Sequence, residues 1–521
     1  MRKFLFLLFV HFFYNIYSQE SLVRRIDLNP QQTTASFHYM TNVSSANFRS
    51  GGQASLLTTY TITAPGTYTF VQDIGFEGRS AATNHGGNTA IFVNANNVII
   101  DLGGKTLYQN NTTSNTNGIE IAKNKYNISI KNGNISNFKN NGIYAHKGCS
   151  ALRIQDVTIN NCAKRGISLI GLINSTLTDD NQISNCLIEN TVVADTLGIT
   201  NSSNAVGLEL NYCYNILVQN SLFGHAKAGI LGTPQDAIGV LVESGTNVVF
   251  NNCDASGNYG EAAYGFKISG TTVGATTTSC SFIECSANAN FGLDTSTNGI
   301  GCGFYADTVN GCVWEKCQAN GNQGTSVGYG FFYDTVNYSS NKECTTSNNS
   351  GGSAGTSTTH GGFGFYSTSG IGNIWESCTA IGQQSLSSNT NVMCNGFDLR
   401  SESYSSLKKC YARNNGSNSD TPWAIGINLT NTTDCIVDDC KIFNNKSSTS
   451  NHGLGLRDTT AASSTLITSC LFFNNGTDDD TQNFHINYTS PGELNITTTV
   501  DQGGVGSMLT ITPYQNVSIT N

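Results

Sequence analysis

The chain has 521 residues, of which 12% are charged and 10% aromatic, with 55 Gly, 6 Pro, 17 Cys and a formal charge of −9. An acidic balance without basic runs excludes nucleic acid as a partner, because phosphate binding needs clustered Lys and Arg. Ordinary soluble proteins are about one quarter charged, so this surface is dominated by Ser, Thr, Asn and Gly, which suit strands and turns better than helices.

Arg2 and Lys3 precede an apolar stretch from Phe4 to Tyr17, closed by the small Ser18, the arrangement of a secretory signal peptide over 1–18. The stretch is broken by His11 and Asn15 and falls short of the roughly 20 residues that span a bilayer. The expectation is a secreted or cell-surface protein with no transmembrane segment. Residues 19–60 read as a cap for whatever follows, 61–490 as a repeat domain, and 491–521 as a C-terminal cap or tail.

The repeat shows in the glycines. A tetrad of Gly, apolar, any, apolar or small recurs with its glycine at Gly118, Gly142, Gly166, Gly207, Gly239, Gly265, Gly303, Gly330, Gly364, Gly396, Gly426 and Gly453, and Asn483 then holds the same place. The mean step is about 30 residues, the signature of a stacked repeat architecture. A second column follows at Gly133, Asp156, Cys186, Asn220, Cys253, Cys285, Cys317, Cys344, Cys378, Cys410, Cys440 and Cys470, 14 residues after the glycine in seven of the twelve repeats. Four residues past it stand Asn or Gly in all repeats but the one with Ala289, the residues that tolerate the left-handed backbone of a sharp turn. Strands of three to five residues cannot bury a face alone, so each must pair in parallel with its counterpart one coil along. The pattern predicts an all-β, single-stranded parallel β-helix of 13 to 14 coils. Unequal spacings of 24 to 41 residues and short strands argue against a β-propeller.

The stretches Ile62–Ile74, Asn97–Leu107 and Asn127–Ser136 carry a resemblance to right-handed parallel β-helix repeat proteins of the pectate-lyase-like superfamily. It covers about residues 60 to 490 and implies a three-sided right-handed coil with an apolar interior. Activity is not implied, because relatives include lyases, hydrolases, epimerases and adhesins. Polygalacturonase-like signatures are not met: Asn431–Asp434, Asp438–Asp439 and Asn451–Gly453 stand at different spacings. The Asp-Pro-His-Glu of mannuronan epimerase-like members and the Trp-Ile-Asp-His of pectate-lyase-like members do not occur.

Function is expected beside the corner of variable length, between the Asn/Gly turn and the next glycine, where loops rise along one edge of the rod. On the adjoining sheet, residues two and four past each glycine should point outward. Tyr305, Phe332 and Tyr366 then form an aromatic strip for sugar rings, with Lys267, Asp398 and Arg400 as ligand-contacting polar partners. Asp307 and Asp334, one coil apart, would repel each other; they are the weak catalytic candidates and a place for a cation such as calcium. The plainer alternative packs the aromatics against neighbouring loops and uses both Asp as caps of strand-end turns. The nine second-column cysteines are expected inward, as small apolar residues, and Cys-x4-Cys spacing (280/285, 312/317, 435/440) does not match zinc sites. No cofactor or structural metal is expected. The functional expectation is a monomeric surface protein that binds a polysaccharide, a cell-surface glycan or another surface partner; the alternative is a polysaccharide lyase or glycoside hydrolase acting on an acidic polysaccharide.

Overall fold

The computed structural model describes residues 40–48, 58–78, 88–110, 115–172, 181–189, 204–228, 235–270, 277–293, 299–352, 360–385, 392–416, 423–447, 453–459, 464–473, 475–477, 484–488, 493–497, 500–501, 509–511 and 516–520. The expected signal peptide over 1–18 lies outside them, as do residues 353–359.

One coil shows how the chain is wound. Val327–Asp334 is followed by Ser340–Lys342, Thr345–Ser347 and Ser350–Gly351, and each pairs in parallel with its counterpart one coil earlier: Ile300–Asp307, Val313–Glu315, Gln318–Asn320 and Gln323–Gly324. The long strands form one sixteen-stranded sheet, the glycine sheet. The protein is a parallel β-helix. The sheet adds Tyr60–Ile62 before the first expected coil and Leu509–Ile511 after the last, and parallel pairing continues through 491–521 up to Asn516–Thr520. Within the expected cap, Met40–Val43 pairs with Gly66–Phe70, and buried Phe48 lies against the rings of Tyr60 and Phe76.

The column glycines mark a bend inside each long strand. Cys302 lies in a cluster outside the coil, whereas Phe304 is in the central core. A Cβ on Gly303 would sit 2.7 Å from both the Gly330 carbonyl oxygen and the Ala319 Cβ, so no larger residue fits without moving backbone. Directly after these glycines, Phe266, Phe304, Phe331, Phe365 and Phe397 stack face to face inside the rod at 4.7–4.9 Å. Each such pair adds about 0.5–1.5 kcal/mol to simple burial. One repeat departs from the expected column. In Gly453–Asp458 the glycine at the bend is Gly455: Leu454 and Leu456 pair with Ile425 and Ile427, and a Cβ on Gly426 would meet the Gly455 oxygen. One coil later His485, not Asn483, falls opposite it, because Leu454 and Leu456 pair with Phe484 and Ile486. A Gly-Leu-Gly-Leu run offers two glycines to the eye, and only the pairing register selects one.

The second column is corrected at two places as well. Register puts Val157 and Ser221, not Asp156 and Asn220, beside Gly133, Cys186 and Cys253. Asp156 and Asn220 occupy the preceding turn, left-handed at φ 53° and 50° like Asn185, Glu284 and Lys316. The later turn is left-handed at Asn137, Gly257, Ala289, Gly321, Asn348, Gly382, Asn414 and Asn444, with Asn161 and His225 in place of Asn160 and Gly224. All 17 cysteines are buried free thiols. Those of the column other than Cys285 donate to backbone carbonyls one coil back, as Cys344 Sγ does to Trp314 O at 3.3 Å and Cys410 Sγ to Trp375 O at 3.3 Å.

A third inward column went unread in the sequence. Asn258, Asn290, Asn322, Asn349, Gln383, Asn415, Asn445 and Asn475 are fully buried, and those from Asn258 to Asn445 each stand one residue past the left-handed turn. Each side-chain amide of Asn258, Asn290 and Asn322 donates to the next coil's side-chain oxygen at 2.8–3.0 Å, and Asn415 and Asn445 repeat this at 2.9 Å. The same oxygens accept the backbone N–H of the preceding coil, as Asn290 Oδ1 does from Asn258 N at 3.2 Å. The ladder thus satisfies the polar groups that a sharp buried turn would otherwise orphan.

Candidate functional site

Beyond the bend the backbone alternates, and residues two past each glycine point out of the glycine sheet in one continuous column. Pairing runs Glu120, Tyr144, Ser168, Glu209 and Leu241 in the first coils, then Lys267, Tyr305, Phe332, Tyr366, Asp398, and then Asn428 and Arg457. The expected residues are therefore in register, one per coil, about 4.8 Å apart. Along the rod the column divides into three chemical zones.

The central zone is aromatic. Tyr305 and Phe332 cross at 88°, and Phe332 and Tyr366 at 86°, both with centroids 5.1 Å apart. The rings alternate in plane rather than forming one flat surface, and they rest on buried Tyr264, Tyr329 and Phe363. Burial pushes the Tyr305 and Tyr366 phenols above their ordinary range. Lys267 pairs with Asp236 at 2.9 Å and lies over the Tyr264 ring. Asp307 and Asp334 pair in register, two positions along, and each accepts from the hydroxyl of the next residue, Thr308 at 2.7 Å and Thr335 at 3.1 Å. Both threonines are in left-handed backbone, so these carboxylates sit at strand-end turns. Among the described residues no three His, Cys, Asp or Glu side chains are grouped to hold a metal ion.

The C-terminal zone is cationic. Asp398 is fully buried and accepts from Arg400 Nε and Nη2 at 3.1 and 2.9 Å, Asn395 Nδ2 at 2.7 Å and Asn428 Nδ2 at 2.9 Å. Arg400 reaches over the Tyr366 ring, its guanidinium 5.0 Å from the centroid. Arg457, one further coil on, lies 4.8 Å over Trp423 and has no carboxylate within ion-pair distance among the described residues. Burial and the nearby Arg400 hold its pKa below the usual value, against the pull of Asp398. Two guanidinium groups thus stand near one carboxylate, which only Arg400 bonds. Arg457 and Trp423 were not singled out from sequence, although Arg457 obeys the same two-past rule once Gly455 is taken as the bend.

The N-terminal zone was also missed. Glu120 Oε1 bonds His146 Nε2 at 2.8 Å, while its other oxygen accepts from Thr89 Oγ1 and, at 3.1 Å, from Asn117 Nδ2. Burial would raise this carboxyl, but the bonds from Thr89, His146 and Asn117 outweigh it and hold the pKa below the ordinary value. Tyr144 packs edge-on to His146 at 4.6 Å, and its phenol is raised by burial and by the charges of Glu120 and Glu209. Glu209 pairs with Arg165 and accepts from Ser168 Oγ, both at 2.5 Å. Extending the outward rule back to Gly118, Gly142, Gly166 and Gly207 would have found Glu120, Tyr144, His146, Ser168 and Glu209.

The fold and this face define the class: a parallel β-helix protein whose outer sheet face is chemically zoned along the rod. Solved structures of the same architecture include the A-module of mannuronan C-5 epimerase AlgE6 from Azotobacter vinelandii, at 10% identity over 89% of this chain and 99% of that one, with a TM-score of 0.44. PfbA, a surface adhesin of Streptococcus pneumoniae, matches at 10% identity over 79% and 81%, with a TM-score of 0.34, and pectate lyase Pel9A at 12% over 77% and 80%, with a TM-score of 0.28. Likeness at this level concerns the coil and not the activity. No protein-family model and no curated protein matches the chain. Among the described residues no helix is long and apolar enough to cross a membrane.

Proposed function

We propose that this is an exported or cell-surface β-helix protein that binds an acidic polysaccharide along the outer face of the glycine sheet. The observation that carries the reading is the C-terminal zone, where Arg400 takes up the carboxylate of Asp398, Arg457 stands beside them without an ion-pair partner of its own among the described residues, and the two guanidinium groups lie on the rings of Tyr366 and Trp423. A guanidinium with charge to spare, held on an aromatic face, suits a sugar ring that carries a carboxylate or sulfate. The strip of Tyr366, Phe332 and Tyr305 continues the contact along the chain of sugars. Binding of polygalacturonate and of uncharged dextran should be compared for the parent and an Arg400→Ala/Arg457→Ala variant. Affinity for the acidic polymer should fall at least tenfold and weaken with salt; equal binding by both proteins would refute the reading.

A second reading rests on the N-terminal zone. An imidazole oriented by a carboxylate and flanked by a phenol is a set able to remove and return a proton. A lyase activity would therefore centre on His146 and Tyr144 rather than on Asp307 and Asp334. Glu120 and Glu209 are three coils apart, about 14 Å, too far for the carboxylate pair of a glycoside hydrolase. Release of unsaturated product from polygalacturonate, abolished in His146→Ala, would establish it.

A further inference from the structure

A different corner of the rod carries two tyrosines in an uncommon state. Tyr338 and Tyr404 lie in left-handed backbone, at φ 50° and 56°, and are 59% and 62% exposed. The equivalent positions on the coils around them are Gly311, Gly372 and Asp434, aligned by the bonds from Gly311 N to Asn337 O, Tyr338 N to Ile371 O, Gly372 N to Ser403 O and Tyr404 N to Thr433 O. The corner demands a left-handed residue. Glycine meets that demand without strain, whereas a bulky ring there is a genuine outlier, costing on the order of 1–3 kcal/mol. Two such rings are retained although more than half of each residue faces solvent, so burial offsets only part of the strain.

The surroundings repeat every second coil. Gly311-Cys-Val-Trp-Glu-Lys-Cys317 and Gly372-Asn-Ile-Trp-Glu-Ser-Cys378 alternate with Tyr338-Ser-Ser-Asn-Lys-Glu-Cys344 and Tyr404-Ser-Ser-Leu-Lys-Lys-Cys410. Gly372 is the bed of the first ring: a Cβ there would lie 2.9 Å from Tyr338 Cδ1, so the ring is laid along the rod over the next coil. Exposed Ile371 and Ile374 complete an apolar floor on the coil between the tyrosines. Beside it Glu315, Lys342, Glu376, Lys408 and Asp438 follow one another in register with alternating sign. The sign alternates along the strip, three acids against two bases, so this corner presents no run of one charge with which to select an ion.

We infer that Tyr338 and Tyr404 form a platform for a neutral, extended glycan, separate from the glycine-sheet face and independent of the function proposed for it. The rings recur at two coils, about 10 Å, the span of a disaccharide. An extended glycan with alternately flipped sugars presents the same face at every second residue, which matches a two-coil repeat. Sugar C–H faces stack on the rings, and the flanking Lys, Glu and Ser side chains offer hydrogen bonds to the hydroxyls.

The test is calorimetric titration of the full chain and a Tyr338→Asn/Tyr404→Asn variant with cellohexaose, laminarihexaose, mannohexaose and chitohexaose, alongside thermal melting. Asn tolerates the left-handed backbone, so the variant should melt at or above the parent temperature while losing at least tenfold in affinity for a neutral hexaose. An Arg400→Ala/Arg457→Ala control should bind that hexaose like the parent, which separates this site from the acidic-polymer face. Binding of none of the four sugars, equal binding by the tyrosine variant, or a melting point several degrees lower would overturn the inference, the last by showing that the rings are structural.

Discussion

The two ends of the outer column occupy the same position in the repeat and carry opposite chemistry. Toward the N-terminus, Glu120 and Glu209 are each saturated by their own donors, His146 with Thr89 and Asn117 on one side, Arg165 with Ser168 on the other. Toward the C-terminus, Asp398 holds Arg400 alone, and Arg457 rests on the Trp423 indole and the Met393 sulfur without a carboxylate of its own among the described residues. The coil determines where a side chain points and how far it lies from its neighbour. What the proposed function adds is surplus: the acid–base cluster is closed on its own donors, whereas Arg457 has no ion-pair partner among the described residues.

Removing the acid that holds Arg400 should break this contrast most severely. Asp398→Ala strands Arg400 and the amides of Asn395 and Asn428 in a largely closed site. Loss of one member of a fully buried pair costs about 3–5 kcal/mol; because Arg400 remains about a quarter exposed, about 2–3 kcal/mol is expected here, read as a lower urea midpoint. Glu120→Gln should cost less, about 1–2 kcal/mol at neutral pH, and with a pH signature. The folded pKa of Glu120 lies below the ordinary 4.5, so its contribution is present above 4.5 and lost as pH falls through the folded value. Melting curves of parent and variant should therefore differ at pH 7 and draw together on acidification below 4.5; a gap that does not narrow at all as the pH falls would mean that the charge is not what matters. Lys267→Met should do least, under about 1 kcal/mol, because Lys267 and Asp236 are both about a quarter exposed. A larger loss would show that the central zone depends on ion pairing and not on its rings.

Much of this architecture was legible because a parallel β-helix writes itself in one dimension. A bend that favours glycine, a turn that favours Asn, and inward thiols recur coil after coil, so columns of like residues betray them. The errors arose where one column offered two equivalent readings, as at Gly453 and Gly455, or where adjacent polar residues blurred the register, as at Asp156 and Asn220. The outward rule placed Tyr305, Phe332, Tyr366, Asp398 and Arg400 on one face because strand alternation is strict. It could not show that the rings would cross at nearly right angles, which depends on Tyr264, Tyr329 and Phe363 packing behind them. The Asn258–Asn475 ladder was invisible for a different reason: Asn beside Asn or Gly looks like surface turn chemistry, and nothing in composition says that the second of the two is buried.

The inward thiols also make the rod a graduated gauge of its own unravelling. Burial pushes Cys162 and Cys213 up to about 12, so at neutral pH they are protonated as well as shielded, and a thiol reagent has no nucleophile to meet while the coil is wound. The column cysteines stand one to a coil from Cys253 to Cys470. The order in which they become labelled under mild denaturant would therefore read out, coil by coil, from which end the molecule unzips.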